Sequence, residues 1–139
     1  MISTTMRPFL LCGLVLACAG CGGGYKKPLG TVTGQVTCDG KPVKSGYIKF
    51  SPVVPEGANS KDSMFPGKTA ESKITKKGTY ELSTYALRDG AVVGKHTARL
   101  FPSDSDVEKG ITIPCEGATM EVTVEGGSNT IDLNFGMES

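Results

Sequence analysis

Five cysteines, one histidine and a short run of alternating acids are the residues of this 139-residue chain whose types could do chemistry. The cysteines are Cys12, Cys18, Cys21, Cys38 and Cys115. Cys18 and Cys21 have the Cys-x-x-Cys spacing of redox sites, but they sit at the end of an apolar leader, where processing would remove that pair. Cys38 and Cys115 stand alone in the sequence and offer neither a metal cluster nor a redox pair of their own. His96 is a ligand or base by type, yet it lies on the apolar face of an alternating segment with no partner marked by any motif. Asp104, Asp106 and Glu108 alternate ahead of Gly110, and calcium takes oxygen ligands from loops of this kind. Lys109 stands where the calcium-loop pattern wants glycine, so a solvated acidic loop is expected instead. Ser45, Ser51 and Ser83 lack a nucleophile-elbow context, and Gly22-Gly23-Gly24 lacks the Lys-Ser/Thr ending of a phosphate loop. The residues therefore predict no catalytic group, no metal and no cofactor.

The leader carries a different chemistry. Arg7 supplies a positive start, and residues 9–17 (FLLCGLVLA) form an apolar stretch of signal-peptide length, too short to span a bilayer. Small residues Ala19 and Gly20 then precede Cys21. This ending resembles the lipobox of bacterial lipoproteins, with Cys18 at the position where leucine is usual. The resemblance implies a diacylglycerol on the Cys21 sulfur, cleavage before Cys21 and acylation of the new amino terminus with a chain such as palmitate. Cleavage before Cys18 and a secretory signal without lipid are the alternatives. Several acyl chains hold a protein on a membrane without any transmembrane helix. Gly22 in place of aspartate after the cysteine points to outer-membrane sorting, by analogy with enteric bacteria.

Positioning elements follow from what remains. Residues 1–20 are read as signal peptide, 21–30 as a glycine-rich tether and 31–137 as one domain, a length that allows a single core. Without Arg7 the 15 basic side chains become 14, equal to the 14 acidic ones, so no electrostatic footprint for nucleic acid is left. Lys26 and Lys27 are read as part of a solvated tether. Export places the chain in an oxidising compartment, where Cys38 and Cys115 are disulfide candidates; the alternative is a buried thiol at Cys38.

The mature part reads as β. Val32, Gly34, Val36 and Cys38 alternate with polar neighbours, and Asp39-Gly40 suits a type I′ turn. Ile48 and Phe50 alternate with Tyr47, Lys49 and Ser51. Further strands are read at 69–74, 79–83 and 94–101, the last with His96, Ala98 and Leu100 on one face. Long connections fill 52–67 and 102–117. Met120, Val122 and Val124, then Ile131, Leu133 and Phe135, are read as a closing hairpin around Gly126-Gly127. Seven short strands predict an all-β sandwich.

Gly34-Gln35-Val36-Thr37-Cys38-Asp39-Gly40-Lys41-Pro42-Val43 followed by Gly46-Tyr47-Ile48-Lys49-Phe50 resembles the opening of carboxypeptidase regulatory-like domains, the transthyretin-like (prealbumin-like) sandwiches. Lys77-Gly78-Thr79-Tyr80-Glu81-Leu82 resembles that family's Gly-x-Tyr-x-Leu strand. Gly94-Lys95-His96-Thr97-Ala98-Arg99-Leu100 resembles the strand after it, with His96 at a usually aromatic position. Ile113-Pro114 and residues 120–135 resemble the form found in small bacterial lipoproteins. The resemblance implies a seven-stranded Greek-key sandwich and no catalytic residues, because its shared positions are architectural. Transthyretin relatives that hydrolyse 5-hydroxyisourate end in Tyr-Arg-Gly-Ser; this chain ends Asn134-Phe135-Gly136-Met137-Glu138-Ser139. The expected function is non-enzymatic: a lipid-anchored cell-envelope protein with a structural or protein-interaction role, through the 52–67 loop or an edge strand. The alternative is a glycan or small-ligand binding module at the sandwich loops. The membrane, through the anchor, and an envelope protein or glycan are the expected partners, with no nucleic acid.

Overall fold

A computed structural model describes residues 26–136. The expected signal peptide, Cys21 and the first part of the tether lie outside the described residues. In chain order the elements are β1 (Leu29–Cys38), β2 (Lys41–Pro42), β3 (Tyr47–Pro52), α1 (Ser60–Met64), β4 (Ala70–Lys73), β5 (Thr79–Glu81), β6 (Ala91–Val92), β7 (Gly94–Phe101), α2 (Asp104–Glu108), β8 (Thr119–Val124), β9 (Gly127–Thr130) and β10 (Leu133–Phe135). Two sheets face each other across one core, an all-β sandwich-like architecture. Among the described residues no helix is long and apolar enough to cross a membrane.

β1 is the spine of the first sheet. Its alternation buries Val32, Val36 and Cys38 on one side, and its ten residues find backbone partners along both edges. β6, β5 and β2 succeed one another antiparallel along one edge. β9 and β10 run parallel along the other. The strand starts at Leu29, two residues inside the expected tether, because the chain is already held there: Leu29 and Gly30 pair with Val92 and Ala91, and the Val93 N–H donates to the Pro28 carbonyl at 2.9 Å. Of the two lysines expected in a solvated tether, Lys26 is exposed and Lys27 is partly buried, and both reach back to the domain. The Lys27 ammonium lies 3.4 Å from Asp62, and that of Lys26 lies 5.3 Å from the Tyr85 ring centre.

Gly34 marks the place where the parallel edge breaks between β9 and β10. A Cβ there would stand 1.9 Å from the Ile131 carbonyl oxygen, a distance no side chain tolerates. Around this close approach the Tyr80 hydroxyl donates to the Ile131 carbonyl at 2.5 Å, and the Gln35 N–H donates to the Asp132 carboxylate at 3.0 Å. Burial, and after it the negative charge of Asp132, push the Tyr80 phenol above its usual range, so it stays a donor.

The second sheet has the order β4-β3-β7-β8. Ile48 and Phe50 of β3 and His96, Ala98 and Leu100 of β7 point into the core, as the alternation predicts. A bridge between Glu71 and Ser83 ties the sheets along one side. The expected closing hairpin does not form. β8 pairs antiparallel with β7 in the second sheet, while β9 and β10 lie beside β1 in the first. Gly127, at φ 91°, lets the chain cross between the sheets instead of folding back within one. Asn129 fixes the corner: its carboxamide accepts from the Glu125 N–H and donates to the Glu125 and Thr31 carbonyls. Alternation of apolar residues fits equally two strands side by side and two strands facing across a core.

At Asp39-Gly40 the structure follows the expectation, with both residues at positive φ, 50° and 78°. The two long connections each contain one short helix, α1 capped by Asn59 and α2 by Ser103. The sandwich thus has two distinct ends. The start of β1, α1 and the 84–90 loop gather at the end from which residue 26 leaves; Cys38, α2 and the end of β10 gather at the other.

Candidate functional site

The chemically notable residues of the sequence do not converge. His96 is wholly buried at 0% exposure, 5.9 Å between ring centres from Phe50. Its Nε2 lies 2.5 Å from the Val92 carbonyl, which can only accept, so Nε2 carries the hydrogen. Its Nδ1 is left without a partner among the described residues. A base must reach a substrate proton, and no solvent-facing surface of His96 offers that reach.

The acids likewise separate. Asp104 and Glu108 are exposed, but Asp106 is buried at the foot of α2, which corrects the expectation of a solvated loop. Ser103 opens the helix and Asp106 sits at its third position, a reciprocal capping box. One carboxylate oxygen of Asp106 accepts from the Ser103 hydroxyl, the Ser103 N–H at 3.0 Å and the Ser45 hydroxyl at 2.6 Å. These donors, the Ser103 hydroxyl first and the Ser45 hydroxyl next, hold the Asp106 carboxyl below the usual range. The carboxylate fastens α2 to the β2–β3 connection through that one oxygen.

Cys38 and Cys115 are joined in the structure as a disulfide, with Cα atoms 5.9 Å apart and 77 residues of sequence separation. Together with Asp39 they form a cluster of potential ligand atoms, but sulfurs bonded to each other are not thiolates and cannot hold a metal as such.

What the fold does assemble is a groove of about 930 Å³ across the outer face of the second sheet. Strand register builds its floor. Glu71, Lys49, Arg99 and Thr119 form one cross-strand row through β4, β3, β7 and β8. Lys49 and Glu71 pair at 3.4 Å, which leaves Arg99 directly opposite a like charge. Like charges so placed cost a sheet up to about 1 kcal/mol. The Phe101 ring moderates that cost: the Lys49 ammonium and the Arg99 guanidinium both lie 5.2 Å from its centre. Ser51 and Thr97 add hydroxyls to the floor, and Tyr85 with Lys68 over its ring closes the far wall. The groove is open along its length, so it suits an extended, anionic segment better than an enclosed small molecule.

The alternation of β3 and β7 already placed Lys49 and Arg99 on an outward face. Their adjacency is a matter of register, and Tyr85 arrives from a loop, so neither could be read from the sequence. Comparisons of the chain with protein-family models, with curated proteins and with solved structures gave no match.

Proposed function

We propose that this chain is a non-enzymatic, lipid-anchored cell-envelope protein that acts by binding a partner on the outer face of its second sheet. In this reading the described sandwich, whose ten strands include the two-residue β2 and β6, is a variant of the seven-stranded Greek-key domain of the transthyretin-like, carboxypeptidase regulatory-like kind, tied to the membrane through Cys21. The outer membrane is the favoured location. The observation that carries the binding role is the pair Lys49 and Arg99, set side by side around Phe101 with a single carboxylate, Glu71, paired to Lys49 on the side away from Arg99. Such a pair is unfavourable in the unbound sheet and favourable under an anionic partner, which is the signature of a recognition surface rather than of packing. The partner class that fits first is an acidic, extended segment of another envelope protein.

A second reading, an anionic glycan in the same groove, draws support from the stacking faces of Phe101 and Tyr85 and the hydroxyl-lined floor. The test is capture from native membranes by the full lipoprotein and by its K49E/R99E variant. A protein retained by the parent chain and lost by the variant supports the first reading. Identical capture by both contradicts it. Selective retention on an array of anionic glycans, lost with K49E/R99E, moves the assignment to the second reading.

A further inference from the structure

We propose that the end of the sandwich from which residue 26 leaves is a membrane-docking surface, seated on the anionic headgroups of the bilayer that holds the anchor. This deepens the reading above and rests on its lipid anchor at Cys21.

Chain length makes the first argument. Five residue steps separate Cys21 from Lys26. Whatever path they take, they span at most about 18 Å, at up to about 3.6 Å each. Lys26 and the residues after it are fixed on the domain by Tyr85, Asp62 and Val93. An acylated Cys21 therefore keeps this end beside the bilayer.

Surface chemistry makes the second. Met64 is 74% exposed and Phe65 60%, two large apolar side chains at this end, and Leu87, 84% exposed, protrudes from the 84–90 loop where that loop also lines the groove. Met64 and Phe65 share a shallow depression with Tyr85 and Lys68, and Leu87 follows Tyr85 on its loop. Lys26 and Lys68 approach the Tyr85 ring at 5.3 and 6.0 Å. Apolar side chains beside an aromatic ring with lysines around it are the composition of a membrane–water interface, where tyrosine sits at headgroup level and lysine meets anionic lipid.

Pre-organisation makes the third. The loop that presents Leu87 is held from within by Asp89. Its carboxylate accepts from the N–H groups of Thr84, Tyr85 and Ala86 at 2.6, 2.9 and 2.8 Å. The Thr84 hydroxyl donates to the Gly90 carbonyl, and the Arg88 N–H donates to the Ser83 hydroxyl. The loop backbone is thus ordered before docking, which lowers the entropy cost of presenting Leu87.

The chain contains no tryptophan, so a single introduced one reports its own surroundings. The full lipoprotein carrying L87W, and a control carrying V107W at the exposed far end, are reconstituted into phosphatidylglycerol–phosphatidylcholine vesicles with and without brominated acyl chains. Intact mass first establishes acylation at Cys21. An unacylated protein overturns the anchor and this inference with it. With acylation present, bromination is expected to cut L87W emission about twofold or more and leave V107W nearly unchanged. K26E/K68E is expected to restore most of the L87W emission, as is replacement of the vesicles by phosphatidylcholine alone. Unquenched L87W in an acylated protein overturns the docking surface and leaves the anchor standing. Quenching indifferent to both charge changes overturns the anionic-headgroup assignment. A blue-shifted L87W emission that bromination does not touch gives the patch to a protein partner and overturns the proposal.

Discussion

The two ends of this sandwich share one core and differ in how they are closed. At the end holding Cys38 and Cys115, a disulfide, a type I′ turn and the Ser45–Asp106–Ser103 network lock the chain. At the end from which residue 26 leaves, closure depends on hydrogen bonds to Asp89 and Asn59 and on one ion pair. Of the eight large hydrophobic side chains exposed among the described residues, five lie at this second end, Val53, Val54, Met64, Phe65 and Val93, and Leu87 stands beside the groove on the adjoining 84–90 loop. Only Val107 and Ile111 lie at the other. That imbalance separates two tasks. The covalently closed end carries stability, and the open end carries surface that another phase or molecule can cover. The groove with Lys49 and Arg99 runs along one sheet between them.

The comparison breaks most readily at the disulfide. The bridge closes a loop of about 78 residues, for which the chain-entropy model gives about 4 kcal/mol. Reduction, or C38S/C115S, is expected to lower Tm by about 15 °C or more in a domain of this size. The measurement is a thermal melt of oxidised and reduced protein, with thiol labelling of the unfolded, unreduced chain to count free cysteines. An unchanged Tm would remove the claim that stability is concentrated at that end.

A smaller effect is expected from the helix cap beside the bridge. Ser103→Ala is expected to cost about 1 kcal/mol, the usual value of an N-cap hydroxyl. Because the Asp106 carboxyl lies below its ordinary range when folded, its stabilisation is present at neutral pH and is lost as pH falls through the folded value. Asp106→Asn is expected to be less stable than the parent at pH 7 and to converge with it in acid. Denaturant midpoints at pH 7 and at strongly acidic pH check this.

The smallest effect on global stability, and the most local, is expected at Asp89. Burial alone would raise its carboxyl, but the N–H groups of Thr84, Ala86 and Tyr85 outweigh that and hold it low. Asp89→Asn is expected to leave Tm within a few degrees and to speed amide exchange at residues 84–86. A large fall in Tm would show that the open end also carries global stability.

Much of this architecture was legible from residue types. Alternation found the inward faces of β1, β3 and β7, including His96, because a half-buried strand writes its burial with period two. Asp39-Gly40 announced its turn because few other pairs accept two positive φ values. The partnership of β8 was misread because Val124 and Ile131 look the same whether their strands share a sheet or face across a core. The buried role of Asp106 was hidden because a capping box within a five-residue helix leaves too short a pattern, and its third donor, Ser45, is 61 residues away. The groove was invisible for a related reason: Lys49, Arg99 and Tyr85 meet only through register and a loop. Cys21 and the signal peptide lie outside the described residues, so their assignment still rests on the lipobox resemblance.

Hydrogen exchange of the acylated full chain, compared in detergent and on anionic vesicles, tests the two-ended account most directly. The account predicts slower exchange on vesicles at residues 61–65 and 84–90, with residues 104–117 unchanged. Protection confined to 104–117, or equal at both ends, would contradict it.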